Sequence, residues 1–398
     1  MTVSSLNYMT GNLLTGSDVN ISRDDLYAGT APVVTNTQQA GSTIASAQKW
    51  TPAPVALAGG DKLFAFQYFG GGSFTNGVGV PDSSYILPLS RYPNTYASGQ
   101  SNWSTGFMYY GQTFEIKYKY IGAATMYRLT INGRRVTDVP VATGGTTPGS
   151  SNVLKFDLGS VAVWNIRLDF ATMPFGGIFT GPNDSMFNPL PSKRVMILGD
   201  SISDGSAQNT GAGLGTWVYR SARLSNINDI WNQSRGGTGY ITPGAFTTIP
   251  NRVPTDIVPY APEQVIVFAG YNDGTTDPAV LRQIAAAHKS TIDQIRAGVP
   301  GVDVVTVGYW NPSGTVGTTA QLMSDTIKAS CFALDVPYIE PITGNVYDVY
   351  SNLVYSAGPW VTAGNASVVI GGDSVHPTNA GHYIIGNIMA ASLGALTN

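Results

Sequence analysis

Between positions 50 and 180 the chain alternates polar and apolar residues at a period of two. Thr113-Phe114-Glu115-Ile116-Lys117-Tyr118-Lys119-Tyr120 is the clearest case. Successive side chains of a strand point to opposite faces, so this pattern predicts a half-buried β-strand. Met126–Ile131 and Arg134–Thr137 flank Asn132-Gly133. Asn-Gly between strand-like runs predicts a hairpin, because both central turn positions need positive φ. Val153–Leu158 and Val163–Leu168 read as two further strands. Short strands with glycine-rich turns predict an all-β sandwich or jelly roll over residues 46–190. Residues 1–45 are rich in Thr, Ser, Asn and Gly and predict an extended N-terminal segment.

The pattern changes near Gly181-Pro182-Asn183-Asp184. Arg194–Leu198, Gln264–Ala269 and Val302–Val307 are short continuous apolar runs, as buried parallel strands are. Between the last two, Leu281, Ile284, Ala285, His288, Ile292 and Ile295 recur at helical spacing and predict a helix over Pro278–Ala297. Ala320–Leu334 and Asn379–Leu396 are two more expected helices. Strand–helix alternation predicts a three-layer α/β/α domain with a parallel sheet over residues 191–398.

Composition narrows the class. A chain of 398 residues exceeds one ordinary core, in keeping with two domains. Charged residues are only 11%, and Gly is abundant at 47 residues, a profile of extracellular or virion-associated β-rich proteins. A cytoplasmic location stays open. The net charge of -3 and the lack of any basic run argue against nucleic acid as a partner. The single cysteine, Cys331, excludes an intrachain disulfide framework and reads as a small buried hydrophobe. No signal peptide is visible at Met1–Ser5, and no apolar run is long enough for a membrane span.

The chemistry concentrates where the predicted strands end, which is where open α/β sheets bind ligands. Ser201 follows the Val195–Leu198 strand within Gly199-Asp200-Ser201-Ile202-Ser203. A serine hydroxyl needs a base. Of three histidines, His288 lies on a predicted helix stripe and reads as structural. His382, inside the last helix, reads as packed or solvent-facing. His376 lies in Asp373-Ser374-Val375-His376, where one turn can hold carboxylate against imidazole. Two segments offer oxyanion donors: Asn232–Gly239 with its glycines, and Gly270-Tyr271-Asn272-Asp273. Gly211–Thr216 is glycine-rich, but Thr216 breaks the dinucleotide pattern and no P-loop lysine follows. Without a metal-binding motif the chemistry needs no metal or cofactor; calcium in the β domain stays open.

These four segments together resemble the SGNH hydrolase superfamily, the GDSL esterases and lipases, over residues 193–398. The resemblance implies Ser201 as nucleophile, and Asp373 and His376 as the remaining triad members. It implies an oxyanion hole of the Ser201 N–H, the Gly237 N–H and the Asn272 side chain, with Gly236 and Gly239 as neighbouring alternatives. Asp200, Arg235, Tyr271 and Trp310 are expected near substrate. A β domain preceding such a domain is similar to the arrangement in carbohydrate esterases and in phage tail proteins that deacetylate surface glycans. The expected partner is an ester substrate, foremost an acetylated glycan, and the β domain offers a route to oligomers. Two other readings stand beside this one: a broad-specificity small-acyl or lipid esterase, and a glycan-binding virion structural protein with a vestigial site. Trp103, Tyr109, Tyr110 and Trp360 are further aromatics, for which packing is the favoured role.

Overall fold

The structure is a computed structural model that describes residues 26–70, 73–75, 83–89, 102–122, 125–137, 139–145, 147–189, 193–206 and 214–397. Most of the expected N-terminal segment, and the Gly211–Gly213 part of the glycine-rich stretch, lie outside these residues. The chain forms two compact units, Asp24–Pro191 and Ser192–Asn398.

The first unit is all-β among the described residues. Its main strands are β1 (Val33–Thr37), β2 (Gln48–Pro52), β3 (Asn102–Lys119), β4 (Met126–Ile131), β5 (Ser151–Ala171) and β6 (Phe175–Thr180). β1 lies within the expected lead-in, where it pairs antiparallel with Val153–Asp157. The two strands expected at Val153–Leu158 and Val163–Leu168 are one long strand, β5. Its register against β3 shifts between Asp157 and Ala162, where Gly159 takes φ +82°. The chain therefore bulges there without leaving the sheet. The Asn132-Gly133 turn has positive φ at both positions, as expected of the hairpin.

The long strands β3 and β5 carry different partners at their two ends, so the sheet packs on itself. Tyr127 pairs with Phe170 at one end of β5, yet its ring lies 5.4 Å from Phe156 near the other end. Trp103 likewise meets Phe175 at 5.6 Å, although Phe175 pairs with Tyr118 at the far end of β3. Trp103 and Tyr109 are thus core residues, whereas Tyr110 is exposed. Edge-to-face ring contacts of this kind add stability beyond area burial.

The second unit is built on β7 (Arg194–Gly199), β8 (Asp229–Asn232), β9 (Gln264–Phe268), β10 (Asp303–Val307), β11 (Tyr338–Ile339), β12 (Asn345–Tyr347) and β13 (Leu353–Ser356). Their order is β8-β7-β9-β10-β11-β12-β13. The first five are parallel, and β12 and β13 add an antiparallel edge. The helices are α1 (Ser201–Asp204), α2 (Trp217–Leu224), α3 (Ile249–Asp256), α4 (Pro278–Gly298), α5 (Thr318–Ala333), α6 (Ala366–Val369) and α7 (Asn379–Ala395). Met196, Leu198, Val265 and Val267 point to one face and pack with Ile284, Ile292 and Ile327 of α4 and α5. Phe268 points to the other face, 5.9 Å from Trp217 of α2. Burial on both faces explains the continuous apolar runs and makes three layers. α4 begins at Asp277, whose side chain accepts the Ala279 N–H at 2.7 Å, with Pro278 at the first turn. Among the described residues no helix is long and apolar enough to cross a membrane.

Two histidines are structural. His288 is fully buried, with Nδ1 2.8 Å from Ser330 Oγ and Nε2 3.1 Å from Thr306 Oγ1. Burial lowers its pKa from 6.5 to about 4. His382 is buried too, its Nδ1 accepting the Trp217 N–H at 3.3 Å. Burial, with the charge of His376, lowers its pKa to about 3. Cys331 is buried in the same core as His288, and burial pushes its thiol up to about 12. A histidine held neutral in the fold takes up a proton more readily when unfolded. Its stabilising contribution is therefore complete above pH 6.5 and lost as pH falls toward about 4. We expect His288→Gln to flatten the drop in thermal midpoint across that interval, measured by calorimetry at fixed ionic strength. A pH dependence identical to that of the parent would contradict this.

Candidate active site

The strand order reverses at β7: β8 lies on one side of it and β9 on the other. The crevice of an open α/β sheet opens at such a switch point, beyond the carboxyl ends of the strands. Ser201 stands there, as the first residue of the one-turn helix α1. Asp200 caps that helix, its Oδ1 accepting the Ile202 N–H at 3.0 Å. Gly199 is required by space. A Cβ there would come within 2.8 Å of the Phe268 carbonyl oxygen.

Asp200 was expected near substrate. It is instead 1% exposed and serves as the cap. Burial raises its pKa to about 8, the Asp204 and Asp273 charges add to the rise, and the Ile202 N–H and Arg252 oppose it. Its position next to Ser201 follows from helix capping, which buries the carboxylate.

His376 is placed by its own loop. Asp373 Oδ1 accepts the N–H groups of Val375 and His376, each at 3.0 Å. Asp373 Oδ2 sits 2.7 Å from His376 Nδ1. This pairing assigns the proton to Nδ1 and leaves Nε2 as the acceptor. Nε2 is buried and has no hydrogen-bond partner. No hydrogen bond joins it to Ser201 Oγ, an open arrangement common in unliganded sites. Asp204, one turn after Ser201, is raised to about 6 by burial, and hydrogen bonds from Ser206, the Gly236 peptide and the charge of His376 restrain the rise.

Trp310 was expected at the substrate. The structure makes it 1% exposed, so neither ring face is open for stacking on a sugar. Its indole N–H donates to the Val375 carbonyl at 2.9 Å, bracing the residue before His376. Trp360 is likewise buried.

The two donor segments are tied together. Asn272 Nδ2 donates to the Thr238 carbonyl at 2.9 Å, which leaves its second amide hydrogen for a ligand. The Asp273 carboxylate accepts the N–H groups of Tyr240 at 2.5 Å, Ile241 at 3.2 Å and Thr242 at 2.9 Å. Gly237 takes φ +76°, a left-handed conformation that suits glycine. Its neighbours are engaged: the Gly236 N–H favours the ionised Asp204 carboxylate, and the Gly239 N–H donates to the Thr242 carbonyl at 2.7 Å. The Gly237 N–H donates to no group among the described residues. Arg235 lays its guanidinium 4.1 Å over the Phe246 ring beside this loop. Tyr271 is half-buried, 5.9 Å from Tyr309. Burial raises its pKa, and the charges of Asp200 and Asp373 add to the rise.

Asp273, Asp204 and Arg252 went unrecognised in sequence. Asp273 had a signal, its place directly after Asn272 at a strand end. Arg252 had none, since it arrives from a helix outside every motif.

A strand-end serine, a carboxylate-held histidine and a glycine loop lie on an open α/β sheet, an arrangement in keeping with a carboxylic ester hydrolase. Residues 197–384 match the model of the GDSL-like Lipase/Acylhydrolase family. The chain is 22% identical over 200 residues to the GDSL lipase Rv0518 of Mycobacterium tuberculosis, covering 49% of this chain and 79% of the lipase. Its fold is similar to a family two carbohydrate esterase from Clostridium thermocellum, solved with cellohexaose. The TM-score is 0.53 at 18% identity, over 83% of this chain and 100% of that one. It is also similar to the salicylyl-acyltransferase SsfX3 from a tetracycline biosynthetic pathway, with a TM-score of 0.59 at 13% identity, over 88% and 98% of the two chains.

We expect Trp310→Phe to keep the fold and lower kcat on an aryl acetate by about 10-fold, because the histidine loop loses its brace. Steady-state kinetics with a circular-dichroism control would check this. An unchanged kcat would show that the indole N–H does not matter.

Proposed function

We propose that this esterase removes small acyl groups, acetyl foremost, from a carbohydrate, with Ser201, His376 and Asp373 as its triad. The observation that carries the carbohydrate reading is the fold likeness to the cellohexaose-bound carbohydrate esterase, which extends over 83% of the chain. The β unit, with Tyr110 exposed on it, is in keeping with a polymeric substrate.

In this reading His376 Nε2 takes the Ser201 proton as Oγ attacks the ester carbonyl. Asp373 holds Nδ1 and stabilises the imidazolium. The Ser201 N–H, the Gly237 N–H and the Asn272 amide receive the tetrahedral oxyanion. His376 returns the proton to the departing sugar oxygen, leaving an acyl-serine. Water, deprotonated by the same nitrogen, then releases the carboxylic acid. The unengaged Gly237 N–H, between two engaged glycines, supports choosing Gly237 over Gly236 and Gly239. Arg235 and Tyr271 border the site and are the residues we assign to shaping its acyl and alcohol sides.

Ser201→Ala should abolish hydrolysis of an aryl acetate while the thermal midpoint holds. Asn272→Ala should cut turnover by about 100- to 1,000-fold. Substrate class is tested by acetate release from acetylated polysaccharide, acetylated monosaccharides and aryl esters of increasing chain length. Preference for the acetylated sugars supports the reading. Strong preference for long acyl chains, without acetate release from any sugar, would overturn it in favour of a lipid esterase.

A further inference from the structure

Arg252 lies on α3, outside the nucleophile, glycine, asparagine and histidine segments, and is 1% exposed. Its donors reach four acceptors. Nη1 donates to the Gly199 carbonyl at 3.0 Å and to Thr238 Oγ1 at 3.1 Å. Nη2 donates to the Gln233 carbonyl. Nε donates to Asp256 Oδ2 at 2.9 Å, a counter-charge buried on the same helix. Gly199 is the last residue of β7, two before Ser201. Gln233 and Thr238 bracket the glycine loop, and the Thr238 carbonyl in turn holds the Asn272 amide.

We infer that Arg252 is a positioning residue for the oxyanion hole, its guanidinium locking the strand end that carries the Ser201 N–H to the loop that carries the Gly237 N–H. The inference rests on the oxyanion-hole assignment proposed above. A buried ion pair is a poor way to gain stability, and an apolar pair of similar volume often serves as well. What an apolar pair cannot supply is several donors in one plane at fixed angles. Here those donors meet acceptors on two segments whose relative placement decides where three N–H groups converge. Burial and the Arg235 charge lower the Arg252 pKa to about 9, while Asp200 and Asp204 oppose the fall, so the group stays charged at neutral pH. Lysine would keep the charge but lose the fork.

The test compares the parent protein with Arg252→Lys and Thr238→Val. Each preparation is titrated with a serine-reactive phosphonate ester to count competent Ser201. We expect kcat per titrated site to fall by about 100-fold in Arg252→Lys, with KM nearly unchanged, because the oxyanion donors are displaced. Thr238→Val, which removes the loop's acceptor for Nη1, should fall by about 10-fold. A purely structural role would lower the number of titrated sites and the thermal midpoint, but not kcat per site. Parent-level kcat per site in folded Arg252→Lys overturns the inference. Where Arg252→Lys yields no folded protein, parent-level kcat per site in Thr238→Val does so. A parent protein that neither hydrolyses aryl acetate nor takes up the phosphonate would refute the Ser201 assignment itself, a distinguishable result.

Discussion

The carboxylate of Asp273 is buried and accepts three consecutive backbone N–H groups, those of Tyr240, Ile241 and Thr242. The candidate site depends on this contact. A glycine-rich loop has high conformational entropy and little side-chain packing of its own. Buried N–H groups left without partners would carry a large desolvation cost. Asp273 meets both demands, and because it adjoins Asn272 it binds the loop to the next strand end. The Thr242 hydroxyl closes the link by donating to the Asn272 carbonyl at 3.0 Å.

The site is electrostatically lopsided. Asp200, Asp204 and Asp273 are all buried in the segments around Ser201, and Arg252 is a buried cation whose charge opposes the rise at Asp200. Asp200 is pushed toward the neutral form by burial and by the charges of Asp204 and Asp273, and Asp204 by burial. The Asp373–His376 pair is different. Its side chains are 34% and 19% exposed, so solvent screens part of their attraction. Backbone N–H groups of Val375 and His376 compensate, fixing the carboxylate by geometry more than by burial.

The β unit shows how one continuous sheet encloses a core. Strands β3 and β5 are long enough to serve both ends. The register shift near Gly159 separates the two ends, and rings such as Phe156, Tyr127, Trp103 and Phe175 fill the space between them. The exposed Tyr110 is paired with the exposed Val163 on β5, on the side away from those rings.

By itself the sequence determined the elements and the four segments, since these depend on local periodicity and on turn chemistry. α4, α5 and α7 fall within two residues of the expected bounds, because apolar spacing, Asp277-Pro278 and Thr378 are local signals. The Asp373–His376 contact was legible for the same reason, as both groups lie in one turn. Tertiary structure alone decided what each polar group does once buried. Asp200 read as a substrate contact because it adjoins Ser201, and Trp310 because it follows the Val304–Val307 strand, but the fold turned one into a helix cap and the other into a brace for Val375. The continuity of β5 across Gly159 was hidden, since glycine signals a turn unless sheet pairing overrides it. Arg252 was invisible for the deepest reason: its partners Gly199, Gln233 and Thr238 are backbone and hydroxyl groups far along the chain, and only packing α3 against the sheet brings them within hydrogen-bond reach.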